Sequence, residues 1–220
     1  DELRIILEEA QPLPAIHRMA ELDLLRFLNP NLKLDQRLQI ILEETASSID
    51  WHRLLYLDEA CQYWRVYLLA LLSRISDKEA ASFCKLFELP ERIENQIMQE
   101  KAQARKAENW FNRRRTVAPS EIFLLLNELS QEGLLHLMSI TKRTGLKKAI
   151  SHYVTQLRHV TIKTTGNNLK KMGYKEGPLY KKILDQLLAA KLDDKIKTAS
   201  DEIAYVQRHF PISNQIEAAE

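Results

Sequence analysis

One stretch of the sequence, residues 165–192, reads TGNNLKKMGYKEGPLYKKILDQLLAAKL and decides the fold class. Its second half repeats apolar residues at the three- and four-residue spacing of a helix with one buried face: Tyr180, Ile183, Leu184, Leu187 and Leu188. Gly173 lies where the end of a helix needs a positive φ, and Pro178 suits the first position of the next helix. The stretch therefore predicts a short helix, a turn flanked by glycines and a second helix.

The same helical spacing extends outward over the remainder of the chain. The 220 residues include only five glycines and seven prolines, too few for the many turns of a β-sandwich or β-barrel. Hydrophobic residues make up 45% of the chain. This apolar content excludes a chain that is disordered over its whole length. We therefore expect an all-α, elongated array of about ten to twelve helices without a significant sheet.

Local signals place individual helices. Asp35 marks the start of a helix that continues to Ile49, and Ser76 with Glu79 has the spacing of a capping box. Thr161 to Thr165 is the clearest loop. The sequence predicts one continuous helix in each of three further stretches: residues 13–28, residues 51–72 and the mostly polar residues 90–115.

Three segments are expected along the chain. Residues 1–89 form a helical body, residues 90–117 a long polar connecting helix with a basic end, and residues 118–220 a basic helical tail with a corner at 165–192. The sequence begins inside a helical pattern and without Met. We therefore expect that an N-terminal portion precedes it in the parent protein.

Charge is distributed unevenly, although the net charge is only +2. Residues 1–60 contain 12 acidic and 6 basic side chains, whereas residues 141–197 contain 14 Lys or Arg and 4 Asp or Glu. Such asymmetry favours a polyanion as the partner of the basic end. The alternative is a lysine-rich helical surface that is merely solvated.

The sequence lacks the motifs of common enzymes. It has no Gly-rich nucleotide loop, no His-Glu-x-x-His motif and no His-Asp pair of a metal-dependent phosphohydrolase. We therefore assign no catalytic residue, no metal ligand and no cofactor to this chain. Cys61 and Cys84 form no Cys-x-x-Cys motif and indicate unreactive thiols in a reducing cytoplasm. The longest apolar run, Val66 to Leu72, is too short to span a membrane.

Two groups of residues are candidates for binding RNA phosphates. The first surrounds the glycine turn, where a helix N-terminus offers backbone N–H groups to an anion. It comprises Lys170, Lys171, Gly173, Tyr174, Lys175, Gly177, Lys181 and Lys182. The second combines an aromatic ring that stacks with guanidinium groups: Trp110, Arg113, Arg114 and Arg115. The alternatives are a purely structural corner for the first group, and arginines that cover a helix C-terminus for the second.

The turn and the helix after it resemble the C-terminal element of bacterial class II tRNA nucleotidyltransferases, the family of CCA-adding enzymes, A-adding enzymes and poly(A) polymerases. The residues that carry the resemblance are Gly166, Leu169, Met172, Gly173, Tyr174, Gly177, Pro178, Tyr180, Ile183, Leu184, Leu187, Leu188, Lys191, Leu192 and Asp193. Glu176 replaces a common Pro and Asp194 a common Gly. The opening, with Glu21 to Leu25 and Pro30, also resembles the segment that follows the family's neck.

The resemblance implies that catalysis and RNA binding belong to different parts of the parent protein. The family's catalytic head has a Gly-Ser turn and an Asp-x-Asp pair for two metal ions, and its neck has an acidic residue three positions before an Arg. The Gly-Ser turn and the Asp-x-Asp pair do not occur in this sequence, so the resemblance implies that Mg²⁺ and ATP or CTP belong to a head that this sequence does not include. This chain is then a non-catalytic cytoplasmic region that holds tRNA, or another RNA, and contacts its own catalytic and neck domains. The alternative is a helical protein-interaction scaffold whose basic end is incidental.

Overall fold

A computed structural model describes residues 2–211, which contain thirteen α-helices, one 3-10 turn and no strand. The all-α prediction is confirmed. None of the helices in these residues is long and apolar enough to cross a membrane. The helices are α1 (Glu2–Glu8), α2 (Leu13–Glu21), α3 (Leu25–Leu28), α4 (Gln36–Arg53), α5 (Tyr63–Leu72), α6 (Asp77–Leu86), α7 (Glu91–Asn112), α8 (Pro119–Leu126), α9 (Gln131–Ile140), α10 (Thr144–Thr155), α11 (Gly166–Lys171), α12 (Pro178–Leu192) and α13 (Ala199–His209).

Two predicted helix starts are confirmed. The Asp35 carboxylate accepts a hydrogen bond of 2.8 Å from the N–H of Leu38 and caps α4. Ser76 and Glu79 form a complete capping box at the start of α6, with each side chain accepting from the backbone N–H of the other residue. The predicted helix of residues 90–115 is present as α7.

Two stretches predicted as single helices are interrupted, and these predictions were wrong. Residues 13–28 divide into α2 and α3 because Asp23 has φ 56°, which ends the first helix. Residues 51–72 divide into the last turn of α4 and α5, and Tyr56 in the intervening loop has φ 48°. Apolar periodicity continues through both breaks and therefore does not reveal them.

Several helices end in the same hydrogen-bonded motif. Gly173 has φ 93°, its N–H donates to the carbonyl of Lys170, and the N–H of Tyr174 donates to the carbonyl of Leu169. These two bonds define a Schellman motif and confirm the predicted role of Gly173. Acidic residues occupy the same position at the ends of α2, α6 and α12: Asp23, Glu88 and Asp194.

The Asp194 position predicts a stabilising substitution. Asp194 has φ 56°, a conformation that costs an L-residue energy and glycine almost none. Because the Asp194 side chain is exposed and forms no hydrogen bond or ion pair within residues 2–211, Asp194→Gly should raise the free energy of unfolding by about 0.5–1 kcal/mol. Gly173→Ala, at φ 93°, should lower it by about 1–2 kcal/mol. Urea denaturation of both variants measures the two changes in the free energy of unfolding, which should have opposite signs. Changes of the same sign would contradict this explanation.

The described chain divides into two compact units. The first takes residues up to 114 together with 128–150, and the second takes 115–127 together with the residues from 151 onward. In the first unit α9 packs on α4, α5 and α7, so a helix late in the sequence completes an early core. The three consecutive segments expected from the sequence do not follow these interleaved units, and their status as domains stays a prediction.

The core of the second unit is built around α12, which packs on α8 and α13. Ile183 and Leu187, from the apolar face predicted for this helix, are fully buried, while Tyr180 and Leu184 are partly buried against the same cluster. Leu169 of α11 and Val206 of α13 complete the cluster. This packing fixes the turn between α11 and α12 on the surface of the unit.

Candidate nucleic-acid interface

A buried carboxylate anchors the loop that leads to α11. Glu202 of α13 is fully buried and accepts hydrogen bonds from the backbone N–H groups of Lys163 (2.9 Å) and Thr164 (2.7 Å). The Thr164 hydroxyl and the Lys191 ammonium donate to the same carboxylate at 2.8 and 2.9 Å. Burial alone raises the pKa of Glu202, but these donors outweigh it and hold the pKa below its ordinary value.

The turn between α11 and α12 is held at several points. Asn168 accepts from the backbone N–H and the hydroxyl of Thr165, which fixes the start of α11. Tyr174 is only 3% exposed, and its hydroxyl donates to the carbonyl of Phe210 at 2.7 Å. The Tyr180 hydroxyl donates to the carbonyl of Tyr174 at 2.9 Å. Tyr174 therefore belongs to the core, and its ring offers no surface to a ligand.

The five predicted lysines are all exposed around this turn. Lys170 forms an ion pair of 2.8 Å with Glu176. The other four have no ion-pair partner within residues 2–211, namely Lys171, Lys175, Lys181 and Lys182. These ammonium groups are free to meet an anion.

Gly177 leaves the N-terminus of α12 open. It precedes Pro178 with φ 159° and ψ −167°, and no side chain within residues 2–211 caps the helix. A Cβ at this position would meet no atom within 4 Å. The first turn of α12 is therefore accessible from solvent, next to the exposed lysines.

The arginine cluster is only partly available. The Arg114 guanidinium lies 3.6 Å from the centre of the Trp110 ring and donates to the Trp110 carbonyl at 3.2 Å. Arg143, which the sequence did not single out, donates to the carbonyl of Phe111 at 2.8 Å. These contacts cover the C-terminus of α7, as the structural alternative expected. Of the predicted cluster, Arg113 and Arg115 are exposed.

The buried polar groups of the first unit serve its packing. Arg65 and Glu100 form a buried ion pair of 3.3 Å, and Ser130 donates to the same carboxylate at 2.8 Å. Burial lowers the pKa of His136 to about 3 and raises the pKa of the Cys84 thiol to about 11. At neutral pH His136 is therefore uncharged and Cys84 is a thiol. Within residues 2–211 no group of three His, Cys, Asp or Glu side chains is arranged to hold a metal ion.

The chain is similar to known tRNA nucleotidyltransferases. It is 35% identical over 212 residues to an A-adding tRNA nucleotidyltransferase from Geobacter sulfurreducens, a match that covers 94% of this chain and 24% of that protein. None of the protein-family models compared with the sequence matches it.

Solved CCA-adding enzymes share the fold. A Thermotoga maritima CCA-adding enzyme complexed with tRNA matches with a TM-score of 0.74 and 22% identity, over 94% of this chain and 50% of that one. An apo CCA-adding enzyme matches with a TM-score of 0.71 and 22% identity, over 93% and 48%.

The chain thus spans about a quarter of the curated relative and about half of each solved structure. The resemblance drawn from the α11–α12 turn is confirmed: along nearly its whole length this chain is similar in sequence to an A-adding tRNA nucleotidyltransferase and shares the fold of CCA-adding enzymes, consistent with a C-terminal region of that family.

Proposed function

We propose that this chain is the tRNA-binding region of a cytoplasmic tRNA nucleotidyltransferase or poly(A) polymerase and performs no chemistry itself. It holds the acceptor and TΨC arms, so that the 3′ end reaches a catalytic part that uses Mg²⁺ with ATP or CTP. The observation that carries the proposal is the turn between α11 and α12, where four exposed lysines without an ion-pair partner among residues 2–211 lie beside an open helix N-terminus.

The chemistry of the turn suits a structured RNA. Double-helical RNA is bound mainly through its phosphates and 2′-hydroxyls, because its deep groove hides the bases. Ammonium groups and backbone N–H groups bind phosphates, whereas the buried ring of Tyr174 offers no face on which a base could stack. A related fold is known in complex with tRNA, which supports the same class of partner.

Binding of tRNA by the whole chain tests the proposal. The chain should bind tRNA more tightly than an unstructured RNA of equal length, and log K should fall linearly with log salt. Equal affinity for both RNAs would indicate a basic surface without recognition of shape. No binding at low salt would favour the protein-interaction scaffold instead.

The chain alone should not transfer nucleotides. Two-metal phosphoryl transfer needs carboxylates that hold both ions, and no such group lies within residues 2–211. We expect no incorporation of labelled ATP or CTP into tRNA with Mg²⁺ present. Incorporation by the pure chain would overturn the non-catalytic assignment.

Glu176 should weaken binding, because it pairs with Lys170 at the turn. Glu176→Gln removes this competing carboxylate and keeps the length of the side chain. Since both groups are exposed, we expect tRNA affinity to rise by about twofold to fivefold at low salt. Asp185→Asn, on the exposed part of α12, is the matched control. Filter binding measures both variants, and a lower affinity for Glu176→Gln would contradict a phosphate site here.

A further inference from the structure

A second basic feature lies in the first unit, on residues that the lysine turn does not include. It is a cleft of about 640 Å³, at the place where α9 ends, α10 begins and α4 passes alongside. Helix α4 contributes Arg37 and Glu44, and the α9–α10 connection contributes Lys142. Arg74 and Lys147 complete the charged part of the lining.

The charges of the cleft are unbalanced. Lys147 pairs with Glu44 at 2.5 Å, and Arg74 pairs with Asp35 at 3.1 Å. Arg37 and Lys142 are exposed and have no ion-pair partner in the part of the chain that the structure describes. Glu44 is the single carboxylate among the lining residues within 2–211, so two positive charges remain uncompensated there.

The uncharged part of the lining suits a ligand that carries phosphate. Thr144, the first residue of the 12-residue helix α10, opens onto the cleft and brings the positive end of the helix dipole to it. Ile40, Ile41 and Ile140 form an apolar wall beside the cations. The volume lies in the usual range for a small-molecule site, about 300–1,000 Å³.

We propose that this cleft is a second phosphate-binding site, which takes the phosphate groups of a nucleotide unit through Arg37, Lys142 and the start of α10. The nucleotide unit comes either from a bound RNA chain or from a free nucleotide, and both present the same chemistry to the cleft. The cleft and the α11–α12 turn share no residue, so an experiment can disprove either site without disproving the other.

Three probes distinguish the sources when titrated into the whole chain: CTP, inorganic tripolyphosphate and an RNA hairpin. The double variant Arg37→Gln/Lys142→Gln should weaken at least one of them by about fivefold to thirtyfold, since two exposed charge contacts are lost. Lys106→Gln/Lys148→Gln, with two exposed lysines of the same unit outside the cleft lining, is the matched control. Glu44→Gln should act in the opposite direction, because it frees Lys147, and should tighten the same probe by about twofold to fivefold.

The two possible sources of the phosphate groups, a free nucleotide and an RNA chain, give different results in this experiment. Loss of CTP and tripolyphosphate binding in the double variant assigns the cleft to a free nucleotide. Loss of hairpin binding alone, with a shallower salt dependence, assigns it to the RNA backbone. If the double variant binds all three probes as the control variant does, or if none of them binds the unmodified chain, the cleft is not a phosphate site and the proposal is wrong.

Discussion

Replacing Lys175, Lys181 and Lys182 together with Gln should reduce tRNA affinity by roughly 30- to 300-fold near 0.1 M salt, because three phosphate contacts and their counterions are lost. The slope of log K against log salt should become shallower by about 2 to 3, or about 0.7 to 0.9 for each contact. All three side chains are exposed and have no ion-pair partner within residues 2–211. The fold should therefore tolerate the changes. Filter binding over a salt series gives both numbers.

A triple variant of equal charge elsewhere is the control. Lys33, Lys78 and Lys85 are also exposed, and all three lie in the first unit. Their replacement with Gln should alter the slope far less. If both triple variants lose the same amount of tRNA affinity, then tRNA binding depends only on the net charge of the chain. If the turn variant binds like the unmodified chain at every salt concentration, Arg113 and Arg115 become the next candidates.

Glu202→Gln should destabilise the chain more than any exposed substitution. The carboxylate is fully buried and accepts from two backbone N–H groups, the Thr164 hydroxyl and Lys191. The glutamine amide carries an NH₂ group, which would face the N–H and O–H groups that now donate to the carboxylate. The charge of Lys191 would also lose its partner. We expect a loss of about 3–5 kcal/mol in the free energy of unfolding, as for other broken buried pairs. Urea denaturation followed by circular dichroism measures the loss, and Asp185→Asn on the surface should stay within about 0.5 kcal/mol of the unmodified chain.

The same carboxylate predicts a pH dependence. Because its pKa is lowered in the folded chain, the folded state prefers the ionised form more strongly than the unfolded state does. Its contribution is therefore complete above the ordinary glutamate pKa of about 4.3 and is lost as pH falls through the lower folded value. Glu202→Gln should thus lose less stability relative to the unmodified chain at pH 3 than at pH 7. An unchanged difference between the two pH values would mean that the ionised form is not what stabilises the loop.

Local chemistry was predictable from the sequence because it involves neighbouring residues. The capping box of Ser76 and Glu79 and the positive φ of Gly173 both follow from residue types a few positions apart. The breaks at Asp23 and Tyr56 were missed because neither residue demands a left-handed conformation, so periodicity alone predicted continuous helices. The break at Asp23 adds one helix, because residues 13–28 contain both α2 and α3.

Long-range contacts were beyond the reach of the sequence. Glu202 accepts hydrogen bonds from a loop 38 positions earlier in the chain, and no residue near Glu202 in the sequence indicates this contact. The cleft unites Arg37 with Lys142 only because α9 packs on α4. Tyr174 was predicted to belong to the binding surface with the other residues of the turn, but the packing of α12 and α13 places it in the core.

Amide hydrogen exchange of the whole chain, with and without tRNA, tests the central claim most directly. We expect bound tRNA to slow exchange in residues 173–182, since these include the exposed backbone N–H groups of the turn and the start of α12. Helix α6, which carries two of the control lysines, should exchange at the same rate in both states. Slower exchange in α6 with no change at the turn, measured at saturating tRNA, would show that tRNA is held elsewhere and would contradict the account.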